Sequence, residues 1–269
     1  MTQKTVGDRV RLDVESDIAH VRLIRPDKLN AIDMTMFDSL AEIAEELERR
    51  ADVRVVVLSG EGRAFCAGID LSALEGLSEQ AGRQSLELRS HGWANIYQYC
   101  ATAWRSLAVP VIAALQGPVF GAGLQIALGA DIRLCAANTR LSVMELRWGL
   151  VPDVGATVLF GNLVRPDILR ELFYTARIVE AEEALSIGLV TRIVDDPLTS
   201  ALNMAREIAE HSPAALRAAK RLLNAMPFDD PASLLIAEST EQLSLIGGPD
   251  NVEAVSAFRE KRAARFGTV

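Results

Sequence analysis

The chain has little of what builds a stapled or metal-held protein. It carries three cysteines in 269 residues, Cys66, Cys100 and Cys135, far apart and with no Cys-x-x-Cys pair. That suggests neither a disulfide framework nor a structural zinc site, and it fits a reducing, cytoplasmic setting. The three histidines, His20, His91 and His211, are just as scattered, so no metal is expected. Positive charge is in deficit: the formal net charge of −8 argues against a broad attraction to nucleic acid or an anionic membrane, and any phosphate site must be local. The opening MTQKTVGDRVRLDVESD lacks the apolar run of a secretory signal, so no export is expected. One uncharged stretch, Ser106–Ala130, has the length of a membrane span, but its two prolines, four glycines and two glutamines argue against one. Also absent are a GxGxxG dinucleotide fingerprint, a phosphate P-loop and a Gly-x-Ser-x-Gly nucleophile elbow, which removes three common α/β chemistries.

What is present reads as an ordinary globular chain. Apolar residues make up 49% and charged residues 24%, enough to bury a sizeable core in one large domain or one domain with an appendage. Arg9–Glu15 and Ile18–Ile24 alternate apolar and charged residues about Ser16-Asp17, the pattern of a hairpin with one wet face. Asp33 stands at an N-cap position, and Met36, Phe37, Leu40, Ile43, Ala44 and Leu47 give a helical stripe through Met34–Arg50. Val53–Leu58 is a largely β-branched run, interrupted by Arg54 alone, and reads as a strand covered on both faces. Leu71–Leu107 reads as helical, with Leu86, Trp93, Ile96, Tyr97, Cys100, Ala101 and Trp104 spaced as one buried face. Short strands follow at Val111–Leu115, Asp131–Ala136 and Arg140–Val143, with a last one at Leu189–Val194.

Helices then run 197–211, 213–225, 231–246 and 250–265, each starting at or just after proline or aspartate. The last two keep apolar residues with no strand left to cover, so they dock on the body or on another subunit. The pattern is therefore α/β, with a core over residues 1–196 and a helical region over 197–269.

The most informative stretch is Pro110–Gly129. An apolar strand turns through Gly117, Pro118, Gly121 and Gly123 into a helical Leu124–Leu128, with no charge between Arg105 and Asp131. Glycines let backbone approach a ligand closely, and the first N–H groups of a helix have no partners within it. The stretch taken alone supports either an anion or oxyanion site at Gly121–Gly123 or tight packing of a helix on a sheet.

Two loops, Phe65-Cys66-Ala67-Gly68-Ile69-Asp70-Leu71 and Gly121-Ala122-Gly123-Leu124-Gln125, occur in order with Glu145 and Pro152-Asp153-Val154-Gly155. Together they resemble the enoyl-CoA hydratase/isomerase (crotonase) superfamily, from Arg25-Pro26 and Asn30-Ala31 to Phe258-Arg259-Glu260-Lys261-Arg262. The resemblance implies a spiral of ββα turns, a C-terminal helical trimerisation region, a homotrimer or a hexamer of two trimers, and a coenzyme A thioester as substrate with no separate cofactor. It implies an oxyanion hole from the backbone N–H groups of Ile69 and Ala122. It carries coenzyme A contacts onto Lys28, Leu29, Ala67, Asp70 and Leu71, and onto Phe258 and Lys261, a pair that often reaches the nucleotide of a neighbouring subunit. Without the resemblance, Lys28 and Lys261 read as solvated surface lysines.

The resemblance also bears on the reaction. Hydratases of the family use two glutamates, and here the first position is Gln125 and only the second, Glu145, is an acid. A carboxamide can hold a water but cannot exchange a proton at neutral pH. The expected activity is therefore a double-bond shift in an enoyl-CoA of fatty-acid oxidation, with Glu145 as base. Asp153 matches an acid that dienoyl-CoA isomerases pair with such a glutamate, although that subfamily has an aspartate where Gln125 stands. Asp153 also stands where it could cap a helix beginning near Ala156. The alternatives are a hydratase with Gln125 in place of one glutamate and a non-catalytic acyl-CoA binding protein. The acyl pocket is expected from the Leu71–Tyr99 region.

Overall fold

The computed structural model of the chain describes residues 2–71, 73, 80–161, 163–226 and 229–267. Its main sheet has seven strands in the order β1-β2-β3-β4-β5-β7-β10, and a small sheet has three in the order β6-β8-β9. The strands are β1 Thr2–Val6, β2 Val10–Glu15, β3 Ile18–Leu23, β4 Val55–Gly60, β5 Val111–Leu115, β6 Pro118–Phe120, β7 Ile132–Cys135, β8 Arg140–Ser142, β9 Val179–Glu180 and β10 Arg192–Ile193. The first three form an antiparallel meander, and β3, β4, β5, β7 and β10 run parallel.

The expected hairpin is present, with Ser16 and Asp17 both at positive φ (48° and 68°) in its two-residue turn. It gains an outer strand, β1, that the sequence does not announce, since Thr2–Val6 carries almost no apolar signal. Strand β4 is buried along its whole length, as an apolar run between two helical layers should be.

From β5 to β8, successive strands alternate between the two sheets. β5 leads into β6 and then a helix, and β7 leads into β8 and then a helical stretch, so each ββα turn stacks on the last as a spiral. The uncharged Ser106–Ala130 stretch is thus cut into β5, β6 and a short helix, and among the described residues no helix is long and apolar enough to cross a membrane.

The helices are α1 Met34–Glu48, α2 Gln80–Glu87, α3 Ile96–Ser106, α4 Ala122–Leu128, α5 Ala156–Leu159, α6 Pro166–Thr175, α7 Ala181–Ser186, α8 Pro197–Ala209, α9 Pro213–Ala225, α10 Pro231–Leu245 and α11 Pro249–Glu260. Asp33 caps α1 as expected, accepting from Met36 N at 2.9 Å. One face of the main sheet packs with α1, α3 and α4 in the large core. The other face, with Val55, Val57, Ile112 and Ala114, is covered by Ala201 and Ala205 of α8.

The expected single buried face over Leu71–Leu107 is corrected. Residues 72 and 74–79 of that span lie outside the described residues. The remainder breaks between α2 and α3 at Gly92 (φ 64°), and Asn95 starts α3 afresh through a reciprocal capping box with Gln98. Trp93 falls in that break and is 99% exposed. The last helix is also shorter than expected, since Lys261 turns left-handed (φ 53°) after Glu260. The C-terminal helices are held to the body by Lys220 of α9, whose buried ammonium donates to Trp104 O (3.1 Å), Val109 O (2.8 Å) and Asp131 Oδ2 (2.8 Å).

Candidate active site

Two backbone turns meet at one cavity. After β4 the chain passes through Cys66, which bridges β6 in parallel: Cys66 N donates to Pro118 O at 3.2 Å, and Phe120 N donates to Cys66 O at 3.0 Å. Two residues on, Gly68 O accepts from Ile32 N and Asp70 N donates to Ile32 O, each at 2.8 Å. The backbone on both sides of Ile69 is therefore fixed, while the Ile69 N–H has no acceptor among the described residues. Gly68 sits at φ 95°, and a Cβ there would lie 2.9 Å from Phe120 O, so the turn requires glycine.

The second turn opens α4. Gly121 (φ 52°) anchors it by donating to Ser142 O, and Ala122, as the first helical residue, has no acceptor for its N–H within the helix. Gly123 lets the two turns touch, since a Cβ on it would fall 2.6 Å from both Cβ and Sγ of Cys66. Tight packing and an open pair of N–H groups thus coexist: the glycines supply the first, and Ile69 and Ala122 supply the second. Both line a cavity of about 800 Å³.

Glu145 and Asp153 line the same cavity. Glu145 begins a 3-10 turn, Glu145–Trp148, just after β8. A Cβ on Gly121 would sit 3.2 Å from its Oε1, so the glycine also makes room for this carboxylate. Gln125 Nε2 donates to Oε1 at 2.6 Å, and Oε2 is buried without a partner in hydrogen-bonding geometry among the described residues. Burial pushes the Glu145 carboxyl up to about 7, with Asp153 adding to it and the Glu145 backbone and the Gln125 amide opposing it. Burial raises the Asp153 carboxyl as well. Asp153 does not cap α5: the N-cap is Gly155, with no side-chain cap.

Gln125 is 1% exposed and lies behind the cavity wall, its Oε1 accepting from Val154 N at 2.8 Å. The remaining wall is apolar and includes Phe37, Leu71, Leu86, Tyr97, Leu150 and Val151. Phe37 was legible only as part of the α1 core stripe, because a residue facing a cavity keeps the periodicity of one facing the core.

The residues assigned to coenzyme A fall into three places. Ala67 and Leu71 line the cavity. Lys28 is exposed on a turn beside it, and Leu29 (φ 52°) ties that turn to the cavity wall by accepting from Ala67 N at 3.0 Å. Asp70 sits next to Leu71 with its carboxylate paired to Arg25 at 2.8 Å. Phe258 (85% exposed) and Lys261 lie at the end of α11, and neither lines the cavity of its own chain. Among the described residues no group of three or more acids, histidines or cysteines could hold a metal.

A model of the enoyl-CoA hydratase/isomerase family matches residues 13–268. A short-chain-enoyl-CoA hydratase of Clostridium acetobutylicum is 30% identical over 95% of this chain and 96% of its own. The human mitochondrial delta(3,5)-delta(2,4)-dienoyl-CoA isomerase is 33% identical over 92% of this chain and 78% of its own. The crystal structure of an enoyl-CoA hydratase from Bacillus anthracis superposes with a TM-score of 0.89 at 28% identity, over 97% of this chain and all of that one. With a family model spanning nearly the whole sequence and relatives matched almost end to end, the chain belongs to the enoyl-CoA hydratase/isomerase, or crotonase, family.

Proposed function

We propose that the chain is an enoyl-CoA isomerase that moves a double bond along the acyl group of a coenzyme A thioester. The observation that carries this reading is the pairing of one raised, buried carboxyl, Glu145, with an amide, Gln125, where a second acid would stand. In this reading the thioester oxygen accepts from the N–H groups of Ile69 and Ala122. Glu145 takes a proton from C2 of a 3-enoyl thioester, and the C2–H electron pair moves into the carbonyl system to give a dienolate. Glu145 then returns the proton at C4 as the C3–C4 double bond becomes C2–C3. Preorganised donors on the developing oxyanion each contribute on the order of 3 kcal/mol. A base that titrates at about 7 suits a proton taken and returned by the same group. Gln125 cannot deliver a proton, which weighs against the addition of water.

Asp153 favours an extension to dienoyl substrates. It lines the same cavity as Glu145 and has its own raised carboxyl, so a 3,5-dienoyl chain could meet an acid at two separate points. We assign the coenzyme A contacts to Lys28, Leu29, Ala67, Asp70 and Leu71. Phe258 and Lys261 are assigned to the nucleotide of a neighbouring subunit in a trimer or hexamer, in keeping with the exposed Leu235, Ile236, Leu243 and Phe258 of α10 and α11. Light scattering of the purified protein tests the assembly, and a monomer at working concentration removes that assignment.

The reaction is tested by presenting 3-enoyl-CoA, 2-enoyl-CoA and 3,5-dienoyl-CoA in parallel and following conjugation by absorbance. The expected result is isomerisation that is lost in Glu145→Gln. Hydration of 2-enoyl-CoA faster than any isomerisation overturns the reading in favour of a hydratase. Tight acyl-CoA binding with no turnover favours a binding protein.

A further inference from the structure

We infer that Gln125 is a positioning residue for Glu145, holding one carboxylate oxygen so that the proton is exchanged through the other. The inference takes from the isomerase reading only the identity of the reaction served.

Two hydrogen bonds fix the sense of the Gln125 amide. Val154 N–H can only donate, so it must meet the amide oxygen, as it does at 2.8 Å. The amide NH2 is thereby turned to Glu145 Oε1, at 2.6 Å. An oxygen facing an N–H donor has no place for a proton on that side. Gly121, having no side chain, leaves room for the same oxygen, since a Cβ there would come within 3.2 Å. Oε1 is thus held by the Gln125 amide, and Oε2, buried and without a hydrogen-bonding partner among the described residues, is the oxygen left to carry the proton.

The clamp also joins two parts of the site. Val154 follows Asp153, so one buried amide sets both the carboxylate on the 3-10 turn and the loop that carries the second acid. Asp153 is the charged side chain whose field reaches Glu145, and Gln125 itself is neutral. The neighbouring Asp70, beyond the Ile69 turn, is paired with Arg25. Removing the amide donor therefore leaves the carboxylate with less support for its charge and a freer rotamer.

The test reads Glu145 without turnover. Infrared difference spectra of the full chain against Glu145→Gln isolate the Glu145 carboxyl band, which is titrated in the otherwise wild-type protein, in Gln125→Met and in Gln125→Glu. A hydrogen bond from an amide to a carboxylate corresponds to about one to two pH units, so Gln125→Met should titrate higher by that amount. Its kcat for 3-enoyl-CoA should fall about 10- to 100-fold with KM unchanged, since positioning acts on the chemical step. Gln125→Glu sets a second carboxyl against Oε1, and the pair must share a proton, so the titration should move higher still. An unshifted titration in Gln125→Met with a raised KM overturns the inference and places Gln125 on the substrate. If Gln125→Met fails to fold, the nearly isosteric Gln125→Glu decides, and an unshifted titration there overturns it equally. A shifted titration in a chain that isomerises none of the three thioesters supports the positioning role and removes the isomerase reading instead.

Discussion

Replacing Glu145 by glutamine should abolish double-bond migration and, above neutral pH, make the chain more stable. The carboxyl titrates at about 7 in the folded chain against an ordinary value of 4.5. Below 4.5 it is protonated in both states and costs nothing. As pH rises from 4.5 to 7 the unfolded chain gives up this proton first, so stability falls, and above 7 the penalty is complete. At about 1.4 kcal/mol per pH unit the full penalty is about 3 kcal/mol, of which about 1 kcal/mol is already present near pH 5.5. Glutamine has nearly the same shape, can still accept from the Gln125 amide and carries no charge to desolvate. The stability advantage of Glu145→Gln over the parent should therefore grow by about 2 kcal/mol between about pH 5.5 and 8.5. Urea unfolding followed by tryptophan fluorescence across that range measures it. An advantage that stays constant with pH, within about 0.5 kcal/mol, would mean that Glu145 is not a buried, raised carboxyl, and its choice as the base would lose its physical ground.

Two further substitutions test the frame around the site. Gly68→Ala places a Cβ 2.9 Å from Phe120 O at φ 95°; it should cost about 2 kcal/mol in urea unfolding and lower kcat/KM about 100-fold by tilting the Ile69 amide, and a fully active variant refutes that placement. Lys220→Met breaks the buried ammonium contacts to Trp104 O, Val109 O and Asp131; a loss on the order of 3 kcal/mol is expected, and one below about 1 kcal/mol denies this residue its part in docking α9.

Most of the frame was legible because it rests on short-range signals. The apolar run of β4, the alternating hairpin strands and the Asp33 cap each state their structure within a few residues. The glycines of the two loops announced a close approach of backbone, and the structure shows it at Gly68, Gly121 and Gly123. What escaped depends on three-dimensional company. Trp93 has the spacing of a core residue, but Gly92 and the Asn95 cap break the helix beneath it and turn the ring to solvent. Phe37 and Tyr97 wall the cavity as well as packing against each other edge to face at 4.9 Å, and no periodicity separates those two duties. The sequence showed Gln125 only as a departure from a pattern. Its grip on Glu145, twenty residues on, and on Val154 needs the spiral to bring α4 beneath the 3-10 turn.

The parallel bridge between Cys66 and Val119 has a consequence for how such a pocket can change over time. Because neighbouring windings of the coil are stitched there by main-chain bonds, the spacing of the two open amides is inherited from sheet geometry and owes nothing to the side chains of Ile69 or Ala122. Mutations can reshape the greasy lining, and with it the kind of tail admitted, without disturbing the cradle proposed for the thioester oxygen.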